Sequence, residues 1–133
     1  MSIRREISNL GIGTDIESID RFRNLDPVSN QLFLDKIFTK QEINYCFSKS
    51  KAAPHLAVRY SAKEAITKAL NLIGRPSPGY KEIEILNNDE GIPLAQIKNE
   101  QFHNLHIYIS LSHCEDKALA FAIVVEANNY GKE

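Results

Sequence analysis

From Leu10 to Glu17 the chain alternates strictly, with Leu10, Ile12, Thr14 and Ile16 on one side and Gly11, Gly13, Asp15 and Glu17 on the other. A period of two belongs to a strand. The pattern then changes. In DPVSNQLFLDKIF the apolar positions Leu32, Phe33 and Ile37, with Val28 ahead of them, fit a helix, and FTKQEINYCF starts afresh with Thr39 three residues before Glu42, the spacing of a capping box. Two short helices with a break at Thr39 are expected. From Pro54 to Ile73 the chain is rich in helix formers and free of glycine, and it stops at Gly74-Arg75-Pro76, where Gly74 suits a C-terminal cap and Pro76 prevents continuation. This predicts a long helix.

Beyond it, YKEIEIL, NNDEG and IPLAQI read as strand, turn and strand, with Pro93 tolerated on an edge. In the next hairpin Leu105, Ile107, Ile109 and Leu111 alternate with His106, Tyr108, Ser110 and Ser112, whereas ALAFAIVVE is apolar on both faces. That last strand is expected to be central and covered on both sides. The class is therefore α+β, an antiparallel sheet packed against one long helix and shorter ones. A few residues at each end, NNYGKE at the C-terminus, read as loose.

Composition narrows this picture. A chain of 133 residues, 43% hydrophobic and 25% charged, can bury a core but is short for two, so one domain over residues 1–133 is expected. The formal net charge of -1 gives no global attraction to nucleic acid or an acidic membrane, so neither is expected as a partner and any anionic one must meet a local basic patch. Cys46 and Cys114 lie far apart without metal-type spacing, and MSIRREISNL carries charges but no apolar signal core. A cytoplasmic location is expected.

The candidate chemistry begins with GIGTDIESIDRF, which has the glycine spacing of a phosphate-binding loop at first sight. Ile16 stands where a dinucleotide fingerprint needs its third glycine, and no Gly-Lys-Ser/Thr follows. The glycines instead clear space beside Asp15, which is read either as a turn former near the strand end or as a site residue. Glu64 also has an ordinary explanation, because Glu64 and Lys68 are spaced i, i+4 with the acid first, a common decoration of a solvated helix face. If the two carboxylates converge, they make a hard oxygen site suited to Mg²⁺, which takes one or two carboxylates together with waters and phosphates. Arg59, Lys63 and Lys68 form a cationic face on the same helix, a weak pointer to phosphate by itself. In SLSHCEDK, Ser112 and His113 fall near the hairpin tip; His113 and Cys114 on extended backbone point apart, against a cysteine–histidine dyad.

GIGTDIESIDRF, FTKQEINYC, RYSAKEAITKAL and ISLSHCEDKALAFAIVV, in this order and spacing, resemble the small holo-acyl-carrier-protein synthases of the 4′-phosphopantetheinyl transferase superfamily. The resemblance spans nearly the whole chain, and the absence of tryptophan and the short length set it in the single-domain branch. It implies the 4′-phosphopantetheinyl transferase fold and transfer of the phosphopantetheine arm of coenzyme A to a serine of an apo acyl carrier protein, with release of 3′,5′-ADP. It also implies Asp15 and Glu64 as Mg²⁺ ligands, Lys68 beside the diphosphate, and Arg59, Lys63, Ser112 and His113 as coenzyme contacts, with the glycines giving backbone room near the diphosphate. Asp15, Glu64 and Lys68 would carry the catalysis. The general base stays open between Glu64 and a metal-held water. Arg21 matches the arginine that such enzymes present to the carrier protein, and Arg23, Lys36 and Lys40 extend that basic cluster. A homotrimer with active sites at subunit contacts follows by the same resemblance, as does a role in fatty acid biosynthesis or a polyketide-type pathway. Tyr60 and Ser61 stand where phenylalanine and alanine are usual, and the segment around Pro76 and Pro78 matches the adenine-side hairpin only loosely. Two other functions stay in competition: a module that holds coenzyme A or another phosphorylated nucleotide without turnover, and an interaction domain that has kept the fold but lost the reaction.

Overall fold

The computed structural model describes residues 7–127, and the chain ends expected to be loose lie outside them. The elements run β1 (Ile7–Ser18), a short 3₁₀ turn (Ile19–Phe22), α1 (Gln31–Ile37), α2 (Lys40–Phe47), α3 (Ala52–Leu72), β2 (Ile83–Asn87), β3 (Pro93–Ile97), β4 (Leu105–Cys114) and β5 (Lys117–Ala127). The architecture is α+β, as the alternation and helix signals predict. Strands β1, β5 and β4 form an antiparallel sheet in that order, and β2 pairs with β3 in a separate hairpin with Pro93 at the start of its strand.

The helix ends are set by local chemistry. Thr39 and Glu42 complete the capping box, with the Thr39 hydroxyl accepting from the Glu42 N–H and the Glu42 carboxylate accepting from the Thr39 N–H. Helix α3 begins slightly ahead of Pro54, which costs nothing in a first turn where the N–H has no helical partner. At its other end Gly74 takes φ 79°, and the N–H groups of Gly74 and Arg75 bond the carbonyls of Asn71 and Leu70, a Schellman closure that requires the left-handed conformation.

The two faces of β1 separate as the alternation predicts, but the buried face is the one with the glycines. A Cβ on Gly13 would stand 2.1 Å from the Ala65 carbonyl oxygen, and one on Gly11 at 2.1 Å from that of Ala69. The glycines therefore make room for the backbone of α3, not for a diphosphate. Ala62, Ala65, Ile66, Ala69 and Leu70 of α3 then pack on Ala120, Ala122 and Val124 of β5 and on Ile83 and Ile85 of β2. A second cluster joins Ile19, Phe22, Leu34, Ile37, Phe38, Cys46 and Leu56 at the N-terminal end of α3.

Small residues on the inner face leave the larger apolar ones outside. Leu10, Ile12 and Ile16 are 51%, 50% and 59% exposed, and Tyr108, Leu119 and Phe121 are exposed on the same outer face of the sheet. Strand β5 is central as predicted, but within this chain only one of its faces is covered.

Candidate active site

The close crossing of α3 over β1 builds the site. Ser61 donates from its hydroxyl to the Asp15 carbonyl at 2.7 Å, and Lys68, two turns along the same helix flank, donates to the Thr14 carbonyl at 3.0 Å and to Asp15 Oδ1 at 3.3 Å. Glu64 lies on the flank between these two anchors, so the helix carries it to the Asp15 side of the crossing. Its Oε2 accepts a short hydrogen bond from the hydroxyl of Tyr80. Of the three residues expected together from the sequence, Asp15 and Lys68 are in direct contact, and Glu64 shares the helix flank with Lys68 and bonds Tyr80.

Asp15 is held almost entirely out of water, with a side chain 11% exposed. Its Oδ2 is buried and has no hydrogen-bond partner, the one such side-chain atom among the described residues. A buried carboxylate oxygen left open normally has a partner the protein alone does not supply. Glu17 stands beside it, two residues along the strand and on the same face. Burial first, then the neighbouring Asp15 carboxylate, pushes the Glu17 carboxyl up to about 7, while Arg21 pulls the other way through its ion pair with Glu17. Among the described residues no group of three or more histidine, cysteine or acidic side chains stands ready to enclose a metal. The open Asp15 oxygen is chemically suited to a hard ion that draws most of its oxygens from water and substrate.

The other expected coenzyme contacts are dispersed. Lys63 is fully buried, its Nζ donating to Glu42 Oε1 at 2.7 Å and facing the carbonyls of Ile37, Tyr80 and Ile83. That is more acceptors than an ammonium has protons, so the expectation of a coenzyme contact at Lys63 is corrected: it is the core of an ion pair. Burial holds its pKa down, against the opposing pull of Glu42. Arg59 is 2% exposed and donates to the Ile85 and His55 carbonyls and to Asn87 Oδ1, with its guanidinium 4.4 Å from the Tyr45 ring centroid. It ties α3 to β2 and stands apart from Asp15.

Adjacent Ser112 and His113 fall on opposite sheet faces, Ser112 on the outer one with Tyr108. His113 lines a cavity of about 600 Å³ together with Phe22, Arg23, Leu25, Lys51 and Cys114, at the N-terminal end of α3. Neither Asp15, Glu64 nor Lys68 lines that cavity. Its ionisable lining mixes Arg23, Lys51 and His113 with Glu115; nearby on α3, burial, then the charges of Arg59, Lys49 and His113, hold His55 below the usual imidazole range. Arg21 is half exposed, paired with Glu17 and 5.1 Å from the Tyr60 ring centroid, and Arg23 pairs with Asp20 at 3.0 Å.

Sequence reasoning missed Glu17 and Tyr80 as neighbours of the acidic pair. The strand alternation already carried the signal for Glu17, which shares a face with Asp15. Tyr80 carried none, because it reaches Glu64 from a separate turn, Tyr80–Glu82, in the connection that follows α3.

The chain belongs to the 4′-phosphopantetheinyl transferase superfamily, whose family model matches residues 11–124. Within it, the chain is 43% identical over 122 residues to the holo-[acyl-carrier-protein] synthase of Chlamydia muridarum, covering 90% of this chain and 97% of that one. It is 38% identical over 114 residues to the same enzyme of Thermodesulfovibrio yellowstonii, covering 86% and 96%. The crystal structure of a holo-(acyl-carrier-protein) synthase from Bacillus anthracis in complex with CoA (3′,5′-ADP) superposes with a TM-score of 0.71 at 26% identity, covering 87% of this chain and 96% of that one.

Proposed function

We propose that this chain is a holo-acyl-carrier-protein synthase that moves the 4′-phosphopantetheine arm of coenzyme A onto a serine of an apo acyl carrier protein. The observation that carries the reading is the crossing of α3 over β1, which brings Asp15 and Lys68 into contact and Glu64 onto the same flank in a chain related throughout to such enzymes. The serine hydroxyl oxygen bonds to the phosphorus bearing the pantetheine arm. The bond from that phosphorus to the bridging oxygen breaks, 3′,5′-ADP leaves with the electron pair, and the serine proton passes to a base. Glu64 is a carboxylate on the open flank and can hold that proton. Lys68, held by the Thr14 carbonyl and Asp15, answers negative charge as it develops on the bridging oxygen, where a cation already in place costs little reorganisation.

Asp15 and Glu64 are the residues that would hold Mg²⁺, and what supports this is the buried, unpartnered Oδ2 of Asp15. The ion would supply charge neutralisation of the diphosphate. His113 remains a coenzyme-side candidate through the cavity it lines, whereas Arg59, buried and bonded to β2, is one only if that bonding gives way; Arg21 and Arg23 remain the proposed docking points for the acidic carrier. Ser112 lies on the sheet face opposite Asp15, so one chain alone does not gather the full coenzyme set. This division, together with the exposed apolar outer face, supports a homotrimer whose sites are completed by a neighbouring subunit. We infer the cytosol as its compartment from the free Cys46 and Cys114. Among the described residues no helix is long and apolar enough to cross a membrane.

The test is incubation with apo carrier protein, coenzyme A and Mg²⁺, read by mass spectrometry. The expected product is carrier protein heavier by one phosphopantetheine arm, in wild type and not in Asp15→Ala or Glu64→Ala. Coenzyme binding without any mass gain on a panel of apo carrier proteins would instead mark a binding module.

A further inference from the structure

Tyr80 bonds the carboxylate that the transfer reading depends on, and nothing in that reading requires it. Its hydroxyl donates to Glu64 Oε2. A phenol has one proton, so the 3.4 Å contact between the Tyr80 and Tyr60 hydroxyl oxygens must be donated by Tyr60. The rings are stacked with centroids 5.6 Å apart and planes 25° apart. The Arg21 guanidinium lies over the far ring, 5.1 Å from the Tyr60 centroid. Any donation across that long contact therefore runs from Tyr60 towards Tyr80 and the carboxylate, with a cation at its head, and the stacked rings are what chiefly hold the pair together. The Tyr80 backbone is anchored as well, because its carbonyl accepts from the buried ammonium of Lys63 at 2.9 Å. Ring, backbone and hydroxyl are thus each fixed, and the fixed hydroxyl engages one of the two Glu64 oxygens.

We propose that Tyr80 is a positioning residue for Glu64: its hydroxyl sets the orientation of the carboxylate, and Tyr60 holds Tyr80 in place. The inference rests on the reading of Glu64 as a residue of the transfer site. A carboxylate with one oxygen tied to a rigid donor keeps the other oriented without rotational search, and outer partners of this kind typically control about 10–100-fold in metal affinity or activity. A phenylalanine in place of Tyr80 keeps the stack and removes only the donor.

The experiment compares Tyr80→Phe, Tyr60→Phe, Glu64→Gln and the double variant Tyr80→Phe/Glu64→Gln. For Tyr80→Phe the expected result is a kcat lower by about ten-fold or more with unchanged KM for carrier protein. Its Mn²⁺ affinity, read by electron paramagnetic resonance of the free ion with coenzyme A present, weakens by a similar factor. Tyr60→Phe shows a smaller loss. In the Glu64→Gln background Tyr80→Phe causes no further loss of Mn²⁺ affinity, since its effect passes through the carboxylate. Wild-type kcat and Mn²⁺ affinity in Tyr80→Phe, or losses that simply add in the double variant, would overturn the positioning role. Full transfer by Glu64→Gln would instead overturn the reading of Glu64, and the inference with it.

Discussion

At the scale of single residues, the tightest constraint in the molecule is the absence of two side chains. Gly11 and Gly13 sit on ordinary extended strand backbone, so conformational freedom does not explain them; the carbonyls of Ala69 and Ala65 do. Backbone oxygens of a helix core do not swing away as a side-chain tip would. Gly13→Ala is therefore expected to force α3 off β1 and lower stability by about 1–3 kcal/mol or more, seen as a fall in urea midpoint. Because Ser61 and Lys68 reach Asp15 only across this gap, transfer activity should fall further than stability alone accounts for. The cysteines give a second residue-scale expectation. Burial pushes the Cys46 thiol up to about 12, so near pH 8 it stays protonated and unreactive, whereas Cys114 is exposed at the hairpin tip. Thiol titration at pH 8 should count one rapidly reacting group in the native protein and two in urea. Two rapid groups in the native state would contradict the packing of Cys46 between α2 and α3.

At the scale of elements, the organising device is the Glu42–Lys63 pair. Glu42 starts as the capping residue of α2, then accepts from Lys63 Nζ through Oε1 and from the Ile85 N–H through Oε2 at 2.7 Å, while Lys63 reaches the carbonyls of Ile37, Tyr80 and Ile83. One ion pair thus fastens α2 to α3, β2, the end of α1 and the turn that presents Tyr80. Lys63→Met leaves a buried carboxylate uncompensated and should cost about 3–5 kcal/mol, whereas Lys63→Met/Glu42→Leu, which removes both charges, should recover much of that loss. Equal stability of the single and double variants in urea would show that the pair adds nothing beyond packing. The same residues show how far the sequence could be read. The capping box at Thr39 and the stop at Gly74 were legible because both are made by residues within a few positions of one another. The second role of Glu42 was not, since its partner lies on another helix and no local pattern names it. The cationic face of α3 was misread for a reason that helical geometry explains. Lys63 and Lys68 are five residues apart, roughly 140° around the helix at 3.6 residues per turn, so one faces the core and the other faces Asp15. Likewise the alternation in β1 sorted its residues into two faces correctly, but by itself it did not say which of the two is buried. What decided it was the alanine content of α3, visible in the sequence yet meaningful only once the helix lies on that strand.

At the scale of the whole molecule, the exposed apolar face of β1 acquires a purpose. Leu10, Ile12, Ile16, Tyr108, Leu119 and Phe121 are all exposed on the outer side of the β1–β5–β4 sheet, with Thr14 paired to Phe121 and Ile16 to Leu119 across the strands. A contiguous apolar sheet face is a recognised mark of an interaction surface, and strand β5, apolar on both faces, is what a central strand covered on both sides requires. The proposed homotrimer supplies the second cover. It also answers the division of the coenzyme set, since Ser112 stands on this outer face while Asp15 stands on the inner one. If the faces of neighbouring copies meet around a closed ring, assembly and catalysis are one event and not two. Phe121→Asp is placed on the outer face, away from Asp15, Glu64 and Lys68, so it should leave the fold intact and yet release monomers. Analytical ultracentrifugation should then show wild type as a trimer and the variant as a monomer with unchanged circular dichroism. Phosphopantetheine transfer by the monomer should be nearly lost, and wild-type activity should fall on dilution below the assembly constant. A monomeric variant that transfers the arm at the wild-type rate would detach the outer face from the active site and return Ser112 to the role of an ordinary surface serine.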